Sequence, residues 1–213
     1  MEELISDAFV PLSPIHFFQL SWECPLFSSG KTLTESKYLL PDTSLLFGTE
    51  SFANVWLGWN REGLHAALEV KEPLQHCEYP QIVQGDSIEL MVDTRDIKTS
   101  GYNTKFCHHF YFLPTAVGQR QMGEITHFRT ESHPLCEPEQ LKMEVKRKST
   151  GYRMDIFLSK DVLYGYDPEQ FDRLGFTYRI NRYRNDPQNF SADSSEFVIE
   201  QQPSLWSSVK LKS

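Results

Sequence analysis

The feature that most constrains this chain is alternation at period two. In GDSIELMVDTRD (Gly85–Asp96), Ile88, Leu90 and Val92 fall on one side of an extended backbone, and Ser87, Glu89, Met91 and Asp93 on the other. Such a segment reads as a strand whose apolar side covers a core. Its second side, carrying carboxylates, is expected to face water.

The same pattern recurs along the chain. In ANVWLGWNREGLHAALEV, Val55–Trp59 and Leu64–Val70 read as two strands joined by the tight connection Asn60-Arg61-Glu62-Gly63. Leu64, Ala66, Leu68 and Val70 then face the core, while His65, Ala67 and Glu69 face outward. KFCHHFYFLP places Phe106, Phe110 and Phe112 on one side and Cys107, Tyr111 and Leu113 on the other, as in a central strand covered twice. LKMEVKRKSTGYRMDIFLS reads as a hairpin turning near Ser149-Thr150-Gly151. LGFTYRINR turns Leu174, Phe176, Tyr178 and Ile180 inward, and LWSSVKL closes the chain as a strand. SPIHFFQLSWECPLF reads as an irregular lead-in with an edge strand, and EITHFRTES as a short strand. Thr115–Gly123 and YRNDPQNFSADSS read as loops; SKDVLYGYDPEQFDRLG is the segment closest to a helix, broken by Gly165 and Pro168.

Many short strands and almost no helix predict an all-β fold: a two-sheet antiparallel sandwich of jelly-roll or immunoglobulin-like type, with helix under ~15%. The 213 residues suit a single domain, with 1–50 as lead-in and 52–211 as the core. Fifteen Phe, nine Tyr and four Trp supply that core.

The net charge of −8 and a pI near 5.4 argue against nucleic acid or an anionic membrane as partner. MEELISDAFVPLSP has no basic start or long apolar run, and no stretch approaches the ~18 apolar residues of a membrane span. Cys24, Cys77, Cys107 and Cys136 show no CxxC spacing, so reduced thiols in a soluble, cytoplasmic protein are expected.

If the strands share a sheet, their outward residues form one polar face: His65, Glu69, Glu89, Asp93, Arg153, Asp155, Thr177, Arg179 and Asn181. Acids and arginines alternate there as cross-strand pairing requires, and the pair expected is Glu89 with Arg179 or Arg153. Such a face either binds a polyol or anion or is solvated surface. Trp56 and Trp59 sit at opposite phases of one strand, so at most one enters the core and the other could be a stacking platform; Trp206 is another candidate. Arg179, Arg182 and Arg184 gather with Tyr178 and Tyr183 at a strand-to-loop junction. Cys107, His109, His133 and Cys136 have the right donors for zinc but no finger or ribbon spacing, and Asp93 with Asp96 lacks an EF-hand spacing. GxSxG, phosphate-loop and HExxH motifs are absent, so no enzyme is expected.

The order of WNREGLHAALEV, GDSIELMVDTRD, GYRMDIFLSKDVL, LGFTYRINR and PSLWSSVKL resembles family 9 carbohydrate-binding modules and the wider DOMON-like sandwiches, over Phe52 to Leu211. The resemblance implies two antiparallel sheets and, among its members, ligands such as sugars, haem or calcium. A carbohydrate as ligand rests on the resemblance alone. The expectation is a non-catalytic module binding a carbohydrate or polar small ligand on a sheet face or end loops, through Trp59, Glu69, Glu89, Asp93, Arg153, Arg179, Asn181, Arg182 and Trp206. No cofactor or metal is expected. The alternative is a protein-interaction module using the polar face or the Arg-rich loop.

Overall fold

The structure is a computed structural model that describes residues 21–28 and 32–213. Its eleven described strands are β1 (Ser21–Pro25), β2 (Ala53–Asn60), β3 (Gly63–Val70), β4 (Ser87–Asp93), β5 (Cys107–Val117), β6 (Arg120–Glu124), β7 (Lys142–Lys148), β8 (Gly151–Ser159), β9 (Arg173–Arg182), β10 (Asn185–Asn189) and β11 (Ser207–Lys212). They form two sheets. One has the order β1-β11-β9-β4-β5-β6 with β10 paired to β9; the other has the order β2-β3-β8-β7. All pairings are antiparallel except β1 with β11.

The alternation sets which residues meet between the sheets. Ile88, Leu90 and Val92 of β4, Phe110 and Phe112 of β5, and Phe176, Tyr178 and Ile180 of β9 pack against Leu64, Ala66, Leu68 and Val70 of β3 and Met154, Ile156 and Leu158 of β8. The β2–β3 hairpin turns where the sequence places it, with Asn60 opposite Gly63. A Cβ at Gly63 would lie 2.0 Å from the Leu158 carbonyl oxygen, so only glycine fits that corner.

Helix is confined, among the described residues, to the single α-turn Ser44–Phe47 and short 3-10 turns. The segment that most resembled a helix, residues 159–175, is instead the end of β8, a run of turns over 160–170 and the start of β9. Gly165 there has a φ of 82°, a left-handed value that ends any helix. Two stretches read as loops are strands. β5 runs on to Val117 and returns as β6 through a turn at Gly118, whose φ is 61°. β10 pairs back onto β9 after a two-residue turn, despite containing Pro187. EITHFRTES has only its first residue, Glu124, in a strand. The edge strand of the lead-in is Ser21–Pro25; residues 13–20 of that stretch lie outside the described residues. No described helix is long and apolar enough to cross a membrane.

Both sheets are covered on their outer faces as well. Met91 and Cys107 lie under Ala192, Ile199 and Trp206, and Tyr111 and Leu113 under Cys77 and Ile82. On the four-stranded sheet, Phe27, Leu33 and Tyr38 cover Trp56 and Ala67. This second covering changes what the outward residues can do.

Candidate functional site

The single polar face expected from the sequence is two faces. Glu89, Asp93, Thr177, Arg179 and Asn181 belong to the seven-stranded sheet, whereas His65, Glu69, Arg153 and Asp155 belong to the four-stranded one. The core lies between them, so they form no common site.

Glu89 is fully buried rather than exposed, although the strand phase is as the alternation implies. Its register partner on β9 is Arg179. Arg179 donates from Nε to Oε1 at 2.7 Å and from Nη2 to Oε2 at 2.8 Å. Asn181 Nδ2 donates to Oε1 at 2.7 Å, and His109 Nε2 lies 2.7 Å from Oε2. Burial alone would raise the Glu89 pKa, but the bonds from His109 and Arg179 outweigh it and hold it at about 2. Arg179 also reaches Glu200 at 3.4 Å from Nη1. Arg153, the other partner considered, lies across the core; it pairs with Asp155 at 2.7 Å and Leu33 O at 3.0 Å, not with its register neighbour Glu69.

Of the other expected ligand residues, Glu69 is half-buried and borders a cleft with Arg153, while Asp93, Trp59 and Trp206 are engaged. Asp93 is buried and accepts from the backbone N–H groups of Arg95 at 2.9 Å and Ile97 at 2.7 Å, shaping the loop that follows β4. Asp96 is taken by Ser208 at 2.6 Å and by Lys98 and Arg173, which leaves the pair no open calcium face. Trp59 packs in the core with its Nε1 donating to Lys212 O at 3.1 Å. Trp206 is 1% exposed and donates to Ile199 O at 2.7 Å. Trp56 is buried too, so neither phase of β2 offers a stacking platform.

The four zinc candidates are not brought together. Cys107 packs with Met91 and Trp206 on the outer side of β5, and His109 is engaged with Glu89. His133 turns to Glu124 instead, beside His108, and these three side chains place donor atoms within 4.8 Å of one another. All four cysteines are free thiols.

What remains open is the tip of β9. The two-residue turn Tyr183-Arg184 and β10 border a cleft of about 650 Å³, lined by Glu78, Val83, Gln84, Arg182, Tyr183, Arg184, Asn185 and Asp186. Asp86 ties Tyr183, on its lining, to the Gln75–His76 backbone beside it. Oδ2 accepts from the Gln75 and His76 backbone N–H groups, both at 2.7 Å, and Oδ1 from Tyr183 N at 3.1 Å. The His76 and Tyr183 rings thereby meet edge to face at 5.1 Å. Arg182 is locked, donating to Glu72 at 2.7 Å and Glu50 at 3.2 Å above the Phe52 ring. Arg184 is exposed, lies 4.7 Å over the Tyr183 ring, and has no ion pair among the described residues. Its φ is 60°, a left-handed value that costs an arginine roughly 1–2 kcal/mol. The sequence pointed to this Arg- and Tyr-rich stretch, but the selected residue, Arg182, is the engaged one. His76, whose ring meets Tyr183, and Glu78, which lines the cleft and lies 3.2 Å from His76 Nε2, carried no signal of their own.

A second cleft of about 360 Å³ lies on the four-stranded sheet around His65, Phe157 and Lys142. The His65 ring stacks 4.4 Å from Phe157, and burial lowers its pKa to about 4. Thr32 on its rim borders residues outside the described chain.

No family model matches the sequence, and no curated protein does. Solved structures do. A family 9 carbohydrate-binding module from Caldicellulosiruptor kristjanssonii in complex with cellotriose superposes with a TM-score of 0.66 at 15% identity, over 91% of this chain and 94% of that one. A family 9 module from the same organism in complex with glucose gives 0.59 at 17% identity, over 95% and 88%. The two sheets described here are thus a β-sandwich of the family 9 carbohydrate-binding-module fold.

Proposed function

We propose that this protein is a non-catalytic module that binds a carbohydrate, or a polyol-like polar ligand, in the cleft at the β9–β10 turn. The observation that carries this reading is the pinned His76/Tyr183 pair beside the exposed Arg184. A sugar ring offers an apolar C–H face and a rim of hydroxyls. Aromatic rings already held by Asp86 can take the first with little loss of side-chain freedom. Arg184 and Asn185 can donate to hydroxyls, while Glu78, Gln84 and Asp186 can accept from them. The fold neighbours' complexes with cellotriose and glucose support the ligand class. The protein-docking alternative loses the polar face of the seven-stranded sheet, which is buried, and keeps this Arg-rich turn and the half-buried His65, Glu69, Arg153 and Asp155 of the four-stranded sheet.

The test is isothermal titration with glucose and cello-oligosaccharides, then with a wider glycan set. Binding that weakens at least tenfold in Tyr183→Ala and Arg184→Ala, with Tm unchanged, supports the reading. Affinity for some glycan that is untouched by both substitutions places the site elsewhere and overturns it.

A further inference from the structure

We propose that His108, Glu124 and His133 form a zinc site, completed by the thiolate of Cys136, that fastens residues 125–137 onto the end of the sandwich. This reverses the expectation drawn from spacing, and it is independent of the cleft at the β9–β10 turn.

The hydrogen bonds of His133 carry the inference. Its Nδ1 lies 2.7 Å from the Lys105 backbone oxygen, an acceptor only, so Nδ1 bears the hydrogen. In the neutral ring, Nε2 then presents a lone pair to Glu124 Oε1 at 3.0 Å. Two electron-rich atoms at that distance need a cation between them. His108 brings a second nitrogen to the same oxygen, with Nδ1 at 2.9 Å, where a neutral ring can donate its hydrogen or turn a lone pair to a metal. A proton on His133 would answer only that ring's lone pair, whereas one divalent ion takes both nitrogens and the carboxylate at once.

The geometry is close to what zinc requires. Zn–N and Zn–O bonds of about 2.0–2.2 Å put tetrahedral ligand atoms roughly 3.3 Å apart, a small expansion from 2.9 and 3.0 Å. The outer contacts are those that orient metal ligands: a backbone carbonyl on His133 Nδ1, Thr126 Oγ1 on Glu124 Oε1 at 2.8 Å, and the Cys136 N–H on Oε2 at 2.9 Å. The His108 Nε2 atom is buried without a partner, so this ring, unlike His133, has no outer acceptor. His133 is further held by stacking on Tyr164 and an edge contact with Phe128.

Imidazole, carboxylate and thiolate donors select zinc over calcium or magnesium. Charge selects the fourth ligand. Two neutral imidazoles, one carboxylate and one thiolate neutralise Zn²⁺, which a buried site favours. Cys136 is tied to the cluster by its backbone N–H, 2.9 Å from Glu124 Oε2; its Sγ is not among the three donors within 4.8 Å of one another and has to turn onto the ion. On binding, its S–H gives a proton to water and the S–Zn bond replaces it. The consequence is mechanical: residues 125–137 contain no strand or helix, and a metal clip closes that long loop.

Full-length protein, stripped with EDTA and dialysed, is titrated with Zn²⁺ by calorimetry and followed by thermal shift. One Zn²⁺ per chain is expected, with a raised Tm that Ca²⁺ and Mg²⁺ do not reproduce. His133→Ala and Cys136→Ser should each weaken binding at least tenfold. Co²⁺ should give a thiolate charge-transfer band in the wild type that Cys136→Ser lacks. Should His133→Ala fail to fold, the wild-type stoichiometry and the Co²⁺ band decide. No stoichiometric binding, or binding unchanged in His133→Ala, overturns the site; binding unchanged in Cys136→Ser overturns the thiolate's part in it.

Discussion

Glu89 on β4 and Glu124 on β6 are two buried carboxylates on either side of β5 in the same sheet, and they are satisfied in different ways. Glu89 meets a guanidinium on two edges, with Asn181 and His109 completing its oxygens. Glu124 meets two imidazoles, a hydroxyl and a backbone N–H. The guanidinium stays charged at any ordinary pH, so the first cluster is electrically closed and leaves nothing for a ligand. His133, whose Nδ1 hydrogen goes to the Lys105 carbonyl, turns a lone pair toward Glu124, so the second is closed only when a proton or metal enters. A carboxylate's surroundings, more than its burial, thus separate a structural hub from a binding one.

The strongest way to break this comparison is to remove Glu89. Glu89→Ala leaves Arg179 buried against a covered face with only Glu200 nearby, and should cost about 3–5 kcal/mol in denaturant unfolding. Leu90→Ala, on the opposite side of the same strand, should cost a comparable 2–5 kcal/mol. A loss below ~1 kcal/mol for Glu89→Ala is the behaviour of a solvated pair, and would show that the covering segment opens in solution.

Acid sharpens the same contrast. The groups facing Glu89 are His109 from β5, Arg179 and Asn181 from β9, and Glu200 from the covering segment through Arg179. Its pKa is held at about 2 against an ordinary 4.5. A depressed carboxylate stabilises the fold fully above its unfolded pKa and ceases to do so as pH falls through the folded one. Stability should therefore drop by about 3 kcal/mol between pH ~4.5 and ~2 from this group. Glu89→Gln should remove that part of the acid slope. An unchanged slope would mean that other carboxylates carry it.

These outcomes bear on what could be read from the residues. The alternation in GDSIELMVDTRD gave the right phase, and Arg179 was one of two partners named for Glu89. Its burial was not legible, because the cover comes from Ala192, Ile199 and Trp206, far along the chain. Tertiary cover leaves no period-two signature. The Glu124 cluster was missed for a related reason. Cys107 and His109 share one side of β5; His108 lies on the other. What joins it to Glu124 is the β5–β6 register, Phe110 opposite Glu124, and the sequence reads as loop up to Gly123, with a strand beginning only at Glu124. Arg184 was visible as one of three arginines, but only the turn's backbone distinguishes it from Arg182.

The smallest effect tests that distinction. Tyr183→Ala should change stability by under ~0.5 kcal/mol, since it lines an open cleft. Arg184→Gly goes the other way. Relieving a left-handed arginine gains roughly 1–2 kcal/mol, and the freer unfolded chain of glycine takes back roughly 0.5–1. The net is a gain of about 0.5 kcal/mol, read as a slight rise in the denaturant midpoint, together with loss of glycan binding. Strained residues that stabilise nothing persist where a ligand uses them, so a more stable but non-binding variant is the signature expected here. A destabilised Arg184→Gly would mean that the guanidinium's contact with Tyr183 supports the fold itself. In that case the two arginines of this turn differ in degree only, and the cleft loses its one uncommitted cation.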